Sequence, residues 1–225
     1  MSNRVLVTGG TGFIGSHVVT SLVKKGYDIG VIDDLRNSKF EVLGRLKEIT
    51  RSEIDFFKVD ILLAKDVVKA FKDFQPNAVI HLAAEKSPSE SVFNPVKYYH
   101  NNILGLCNVL DSMEIIECDK IVFSSSANVY GVPSSLPITE KMPTIPNNAY
   151  GRSKLFGEAL IKDWSNCNPA RGSVSLRYFN PVGAHQSGLI GENPEKGENI
   201  FPKIFQSINE SVPLKIYGDD YNTRD

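Results

Sequence analysis

Residues 5–17 read VLVTGGTGFIGSH, and this stretch decides the fold class. Residues 5–7 are the apolar run of a buried strand, and Gly9, Gly12 and Gly15 follow at intervals of three. Glycines at this spacing, between a strand and a helix, allow a tight turn and a close approach of the backbone to a pyrophosphate. The helix N-terminus then presents unpaired N–H groups to that pyrophosphate. The stretch predicts a dinucleotide site, in which Gly15 serves close packing of the helix against the strand.

Short apolar runs alternate with helical periodicity along the rest of the chain. Further strands are predicted at residues 29–32, 56–59, 78–82, 121–123 and 174–179. One helix is predicted with Ile14, Val18 and Leu22 on one face, and another is marked by Val67, Phe71 and Phe74. A long helix is predicted over Val96–Met113, and its inward residues are Ile103, Leu106, Val109, Leu110 and Met113. Apolar strands separated by helices are typical of a parallel sheet covered on both faces. The sequence predicts an α/β fold with a Rossmann-type doubly wound parallel sheet.

Two stretches interrupt this alternation. Residues 132–148 contain four prolines, and residues 185–199 are rich in Gly, Pro and Glu, so both are predicted to be loops. A short helix is predicted at 201–208, with Pro202 in its first turn.

An acidic residue at the end of the second strand points to the cofactor. Asp33 stands 18 residues after Gly15, and Asp34 follows it. A carboxylate at this position accepts hydrogen bonds from a free ribose 2′-hydroxyl and repels a 2′-phosphate, so NAD is favoured over NADP. Arg36 is a contrary sign, because an arginine can bind that phosphate. Asp60, at the end of the third strand, is either an adenine contact or a turn residue.

The stretch after the fifth strand predicts catalytic residues. Residues 124–131 read SSSANVYG, and residues 150–154 read YGRSK. Tyr150 and Lys154, four apart on a helix, project from one face, where an ammonium group can stabilise a phenolate. Tyr150 is then a candidate base, and a serine hydroxyl at the strand end can bind the same substrate oxygen.

These motifs in this order resemble the extended branch of the short-chain dehydrogenase/reductase superfamily. Within it, residues 5–17, FSSSANVYG at 123–131, YGRSKL at 150–155 and RYFNPVGAH at 177–185 are similar to the UDP-galactose 4-epimerase family. The resemblance covers the chain from Arg4 to Asp225.

The resemblance implies a role for individual residues. It makes Tyr150 the catalytic acid/base, Lys154 its partner, and Ser126 the group that polarises the sugar hydroxyl. It implies cofactor contacts at Gly9, Gly12, Phe13, Ile14, Gly15, Asp33, Asn37, Ser38, Asp60, Ile61, Ala83, Ala84, Lys86, Asn101, Lys154 and Tyr178. It implies substrate contacts at Ser126, Tyr150, Asn180, Asn199, Lys215, Ile216 and Tyr217.

The resemblance also implies a reaction and a domain division. The expected reaction interconverts UDP-galactose and UDP-glucose by transient oxidation at sugar C4, with NAD as the cofactor and a 4-keto intermediate. Residues 1–180 are expected to form the NAD-binding domain with the catalytic residues. Residues 181–225 are expected to begin an incomplete nucleotide-sugar-binding region, because family members continue beyond the point where this chain stops. A homodimer built on the helices near 96–113 and 150–163 is expected by resemblance.

Residues 82–88 depart from the family pattern. They read LAAEKSP where the family usually has FAGLKAV, so Glu85 and Pro88 enter a normally apolar neighbourhood. Three alternatives to the epimerase function differ in what the sequence says of them. A nucleotide-sugar dehydratase needs Thr-Asp-Glu where residues 126–128 are Ser-Ala-Asn, which argues against it. Another NAD-dependent nucleotide-sugar epimerase or reductase, or a non-catalytic NAD sensor or scaffold, remains an alternative.

Composition limits the kinds of binding partner that the chain is expected to have. The 225 residues carry a net charge of −1 without basic clusters, so neither a nucleic-acid nor a membrane partner is indicated. Cys107, Cys118 and Cys167 are widely spaced, which predicts neither a metal site nor a disulfide framework. No apolar run reaches the ~18 residues of a membrane span, and a cytoplasmic protein is expected.

Overall fold

A computed structural model gives the structure of the protein, and it describes residues 3–193, 199–215 and 218. Six parallel strands form one sheet: β1 (Arg4–Thr8), β2 (Asp28–Asp33), β3 (Asp55–Lys58), β4 (Ala78–His81), β5 (Lys120–Ser126) and β6 (Gly172–Tyr178). Their order in the sheet is β3-β2-β1-β4-β5-β6. The chain therefore reverses its winding direction between β1 and β4, and the doubly wound sheet predicted from the sequence is confirmed.

Helices connect and cover the strands. They are α1 (Phe13–Lys24), α2 (Glu41–Thr50), α3 (Ala64–Phe74), α4 (Pro88–Phe93), α5 (Pro95–Tyr99), α6 (Gly105–Ile115), α7 (Ala149–Asn166) and α8 (Ile200–Glu210). A π-helical turn (His100–Leu104) joins α5 to α6, and a 3₁₀ turn (Ala127–Tyr130) follows β5. The predicted loop at 132–148 contains no regular element, and the predicted final helix is α8, with Pro202 in its first turn.

Two apolar clusters sandwich the sheet. Along β1, Leu6 belongs to one cluster and Val5 and Val7 to the other, as alternation of side chains along a strand requires. The first cluster contains side chains of α3 and α6, and the second contains side chains of α1 and α2. Both faces of the sheet are thus covered around β1, as the apolar strands predicted, whereas β6 is largely exposed, with Val174 at 53% and Leu176 at 39%.

The most buried side of α1 lies next to the predicted apolar face, of which Leu22 packs against the second core cluster. Ile14, Val18 and Leu22 are only half-buried, whereas the fully buried positions are Gly15, Ser16, Val19 and Thr20. The reason is close packing: a Cβ at Gly15 would lie 2.1 Å from the carbonyl oxygen of Gly9. Small side chains are needed where a helix approaches the backbone this closely.

The helix predicted from Val96 to Met113 is interrupted by the π-helical turn. Asn101 and Asn102 in this turn are buried, and Ile103, which the 3.6-residue period places inward, is half-buried. Because a π turn accommodates one more residue per turn, it changes the helical phase and sends two asparagines towards the interior. Helices α2 and α4 were not predicted from the sequence.

Within the described ranges, no helix combines the length and the hydropathy that crossing a bilayer requires.

Candidate active site

The glycine loop forms the floor of a cavity of about 410 Å³ at the carboxyl ends of the strands. Gly9 has φ +72°, a left-handed conformation that glycine adopts without strain, and a Cβ there would lie 2.8 Å from the backbone nitrogen of Ala83. A Cβ at Gly12 would meet only the Gly9 carbonyl oxygen, at 3.3 Å, so Gly12 leaves space on the cavity side. This geometry lets a ligand approach the backbone closely.

The N-terminus of α1 opens into the same cavity. Gly12 is the N-cap residue and supplies no side-chain cap, and Gly12, Phe13 and Ile14 line the cavity. The first N–H groups of a helix have no partners within the helix, and together with the helix dipole they favour an anion. An uncapped helix start above glycines is the cradle that a pyrophosphate requires, so this part of the structure fits a dinucleotide.

The carboxylate of Asp33 organises one end of the cavity. Its Oδ2 accepts a hydrogen bond from Thr11 N at 3.2 Å, and its Oδ1 accepts from Leu35 N at 2.9 Å and Ser38 Oγ at 3.0 Å. These bonds fix the loop after β2 against the glycine loop. Asp33, Asn37 and Ser38 all line the cavity, so the predicted adenosine contacts lie together.

Arg36, rather than Asp60, lines this end of the cavity. The Asp60 carboxylate accepts from Leu62 N at 2.9 Å and from Arg36 Nη2 at 2.8 Å. Its neighbour Ile61 lines the cavity, but Asp60 does not. The two hydrogen bonds leave the Asp60 carboxylate further acceptor positions, so a contact between Asp60 and the adenine stays a prediction.

The opposite end of the cavity contains Tyr150, Lys154 and Ser126. Tyr150 and Lys154 lie on α7, whose N-cap Asn148 accepts a hydrogen bond from Gly151 N at 2.7 Å. Lys154 is buried, with Nζ donating to the Ser124 carbonyl oxygen at 2.8 Å and lying 5.9 Å from the centroid of the Tyr150 ring. The predicted convergence of a helix face on the end of β5 is thus observed.

Burial shifts the pKa values of both members of this pair. Burial lowers the pKa of Lys154 to about 7. Burial also raises the pKa of Tyr150, and a hydrogen bond with Ser126 opposes that rise. Desolvation is the larger cause of the shift at Tyr150 and the cause of the shift at Lys154, and stabilisation of the phenolate by Lys154 stays a prediction.

Asn128 is a site residue that the sequence reading did not predict as one. Its backbone N–H donates to Ser126 Oγ at 3.2 Å, and its Nδ2 donates to the same oxygen at 3.3 Å. Asn148 Nδ2 donates to Asn128 Oδ1 at 3.3 Å. A hydroxyl has two acceptor lone pairs and one proton. With both lone pairs engaged by Asn128, the proton of Ser126 is directed towards Tyr150 and the cavity.

A partly buried ion pair connects α7 and β6 beneath the catalytic residues. Arg177 on β6 forms a bidentate ion pair with Glu158 on α7, with Nε–Oε1 and Nη2–Oε2 distances of 2.9 and 2.7 Å. Arg177 Nη1 also donates to Tyr130 Oη at 2.8 Å, and Ser125 Oγ donates to Glu158. Glu158 and these partners were not predicted. The network ties α7, which carries Tyr150, to the ends of β5 and β6.

The cavity brings together most of the predicted site residues. Its lining includes Gly9, Gly12, Phe13, Ile14, Gly15, Asp33, Asn37, Ser38, Ile61, Ala83, Ala84, Lys86, Asn101, Ser126, Tyr150, Lys154, Tyr178, Asn180 and Asn199. Asp60 and Lys215 are not among the lining residues. Ile216 and Tyr217 lie outside the described residues.

One cavity, at the switch point of a doubly wound sheet, contains a glycine loop at a helix N-terminus. It also contains a buried Tyr-Lys pair beside a serine at a strand end. Together these features define a class of dinucleotide-dependent enzymes. In agreement with this class, residues 5–225 match the family model described as "NAD dependent epimerase/dehydratase family". The chain belongs to that family.

Named relatives and solved structures agree with this placement. The chain is 44% identical to a UDP-glucose 4-epimerase from Dictyostelium discoideum, over 100% of the chain and 66% of the relative. It is 44% identical to a UDP-glucose 4-epimerase from Bacillus subtilis, over 98% of the chain and 66% of the relative. The crystal structure of UDP-glucose 4-epimerase from Bifidobacterium longum in complex with NAD+ and UDP superposes with a TM-score of 0.93 at 42% identity, covering 99% of this chain and 67% of that one. The chain thus spans 66% of the length of the first two relatives.

Proposed function

We propose that the chain carries the NAD-binding and catalytic part of an enzyme that interconverts UDP-galactose and UDP-glucose. The observation that carries the proposal is the meeting of Tyr150, Ser126 and Lys154 in the cavity that the glycine loop also lines. The relatives named UDP-glucose 4-epimerase, at 44% identity, support the choice of substrate.

The residues present fit NAD as the cofactor. The glycine loop and the start of α1 would hold the pyrophosphate, Asp33 would accept from the adenosine ribose, and Lys154 and Tyr178 would lie on the nicotinamide side. When bound, NAD supplies a hydride acceptor for the C4 hydrogen of the sugar, which leaves a 4-keto sugar until the hydride returns to either face.

Tyr150 is proposed to move the proton of the sugar 4-hydroxyl. As C4 is oxidised, the phenolate oxygen takes that proton, and it returns the proton when C4 is reduced on the other face. The Ser126 hydroxyl supports this exchange, because Asn128 occupies both its lone pairs and leaves its proton to be donated towards the cavity. Lys154 supplies positive charge beside the phenol whenever it is protonated.

Residues 181–225 are proposed to begin the nucleotide-sugar-binding region, beyond an NAD-binding domain at 1–180. Asn180 and Asn199 support this division, since both line the cavity next to the catalytic residues. Asn199 Nδ2 donates to Glu192 Oε1 at 2.6 Å, which holds the start of α8 against the preceding loop. Roles for Lys215, Ile216 and Tyr217 in binding the uridine stay predictions.

We also propose a homodimer and a cytoplasmic location. Large apolar side chains are exposed on α4, α5 and α7, including Phe93, Val96 and Phe156. Burying such a surface against a second copy would remove apolar area from water. Two of these residues, Val96 and Phe156, lie on the helices near 96–113 and 150–163 on which the homodimer is expected. All three cysteines are free thiols, which suits a reducing compartment.

Two variants in the chain test the proposed function. Two proteins are compared: the chain alone, and the chain joined to the C-terminal third of the Bacillus subtilis relative, which is called the extended form. Each is incubated with NAD and UDP-galactose, and the UDP-glucose formed is measured. We expect conversion by the extended form, about a 10³-fold or greater loss in Tyr150→Phe, which cannot take a proton, and no loss in the control Tyr27→Phe.

Other outcomes identify the alternatives. If the extended form binds NAD but converts neither UDP-galactose nor its N-acetyl analogue, the epimerase proposal fails and an NAD sensor or an enzyme for another nucleotide sugar takes its place. Full activity in Tyr150→Phe would overturn the assigned acid/base.

A further inference from the structure

Glu85 places a buried carboxylate at the adenosine end of the cavity. Only 7% of the residue is exposed, and it lines the cavity in the loop after β4. Asn102 fixes its backbone from both sides: Glu85 N donates to Asn102 Oδ1 at 2.9 Å, and Asn102 Nδ2 donates to the Glu85 carbonyl oxygen at 3.0 Å. The π-helical turn that carries Asn102 therefore sets the position from which the Glu85 side chain extends.

The two oxygens of this carboxylate each face a cation. Oε1 lies 3.5 Å from Arg36 Nη1, and Oε2 lies 3.4 Å from Lys97 Nζ on α5. Glu85 thus links the loop after β2 to α5 across the cavity. A buried carboxylate requires such partners, because an isolated charge removed from water is costly.

Arg36 is in turn held by three carboxylates. Beside Glu85, its Nη2 lies 3.0 Å from Asp34 Oδ2 and 2.8 Å from Asp60 Oδ2. Burial alone would lower the pKa of Arg36, but the charges of Asp34, Asp60 and Glu85 together raise it. Glu85 is the most buried of the three, with a side chain 9% exposed against 30% for Asp34 and 26% for Asp60. Its field is therefore the least screened by solvent.

We propose that Glu85 is a specificity-determining residue for the cofactor: it holds Arg36 within a carboxylate cluster and so disfavours a dinucleotide that carries a 2′-phosphate. The inference rests on the proposed NAD-dependent function. An arginine beside the adenosine ribose is the usual partner of that phosphate. Here its charge is compensated by Asp34, Asp60 and Glu85, so an added phosphate would meet net negative charge and would have to displace an existing pair.

The test compares NAD+ and NADP+ binding to the 225-residue chain by titration calorimetry. Glu85→Gln keeps the shape of the side chain and removes its charge. We expect NADP+ to bind about tenfold more tightly to this variant and NAD+ to change by less than about twofold, as expected for a local charge effect. The matched control is Glu90→Gln, because Glu90 pairs with Lys97 at 2.8 Å on the same surface without being paired to Arg36.

A second substitution separates specificity from folding. Arg36→Met, made in the Glu85→Gln background, should abolish the gain for NADP+, and made alone it should weaken NADP+ more than NAD+. If Glu85→Gln does not fold, as judged by its thermal melt, the single Arg36→Met variant still tests whether Arg36 acts on the 2′-phosphate. An unchanged ratio of the two dissociation constants would then overturn the inference.

The contradicting results are distinct. Equal shifts for both dinucleotides in Glu85→Gln, or a gain for NADP+ that survives Arg36→Met, would overturn the role of Glu85 while leaving the proposed function intact. Failure of the unsubstituted chain to bind NAD+ would instead overturn the proposed cofactor, and this inference with it.

Discussion

At the end of the cavity that Tyr150 lines, the polar groups are buried. At the end that Arg36 lines, the groups are charged and, except for Glu85, partly open to solvent. Lys154 is 3% exposed and Ser126 is 6% exposed, while the side chain of Arg36 is 46% exposed. Charge at the buried end is costly and shifts pKa values, and charge at the open end is screened. The same types of residue should therefore have large effects at one end and small effects at the other.

Lys154→Met should have the largest effect and should act in opposite directions on activity and stability. In the extended form we expect turnover to fall about 10²- to 10³-fold, because the charge beside Tyr150 is lost. The unfolding free energy of the ligand-free chain at pH 6 should instead rise by on the order of 2 kcal/mol. The pKa of Lys154 is shifted from 10.5 to about 7, so burying its ammonium group costs free energy that the methionine variant avoids. This cost is larger than the loss of the hydrogen bond to Ser124.

The pH dependence of this stability difference has a fixed sign. The pKa of Lys154 is lower in the folded chain, so the associated stability is present above pH 10.5 and is lost as the pH falls through about 7. Urea denaturation of both proteins from pH 6 to 10 should show the advantage of the methionine variant shrinking as pH rises. An advantage that grows with pH would mean that Lys154 is not buried as a charge.

Glu158→Gln should lower the unfolding free energy by about 3 kcal/mol, because it leaves Arg177 without its bidentate partner in a partly buried site. Chemical denaturation of the 225-residue chain measures this. Lys162→Gln, at an exposed position on the same helix, is the control and should change stability by less than about 0.5 kcal/mol. A loss no larger than that of the control would show that the network does not hold the site together.

Asn128→Ala should have a smaller effect, confined to turnover. Removing the amide frees one lone pair of Ser126, so the serine proton is no longer directed to the cavity. We expect kcat of the extended form to fall about tenfold, with KM for UDP-galactose within about twofold. Asn128→Thr, which keeps a hydroxyl donor, should restore part of the rate. A rise in KM with kcat unchanged would assign Asn128 to substrate binding instead.

Asp34→Asn should have the smallest effect and completes the contrast between the two ends. Like Glu158, Asp34 pairs with an arginine, at 3.0 Å, but both partners are partly exposed. Its loss should cost less than about 1 kcal/mol in the same denaturation experiment. A cost equal to that of Glu158→Gln would mean that burial does not distinguish the two ends.

What could be read from the sequence divides along similar physical lines. The glycine loop and the Tyr150–Lys154 pair are set by spacing within one turn or one helix face, so local pattern is sufficient to predict them. Asp33 follows in the same way from its place at the end of β2. Each of these residues lines the cavity.

The remainder depends on contacts between distant segments. Glu158 lies 19 residues from Arg177 in sequence and looks like any helix-surface carboxylate until the fold brings the two together. The π-helical turn has no local signature, although it decides where Asn101 and Asn102 point. The hydrogen bond between Arg36 and Asp60 joins residues 24 apart and has no local signal either. These are tertiary effects that periodicity does not encode.

The most direct test of the account follows the hydrogen on C4 of the sugar. UDP-galactose carrying deuterium at C4 is converted by the extended form, and the deuterium content of C4 in the UDP-glucose product is measured by NMR and mass spectrometry. Because Tyr150 is assigned only the hydroxyl proton and the C4 hydrogen moves as hydride, we expect full retention of deuterium. Loss of the deuterium to water would show that C4 is deprotonated instead, and would contradict the role given to Tyr150 and to the cofactor.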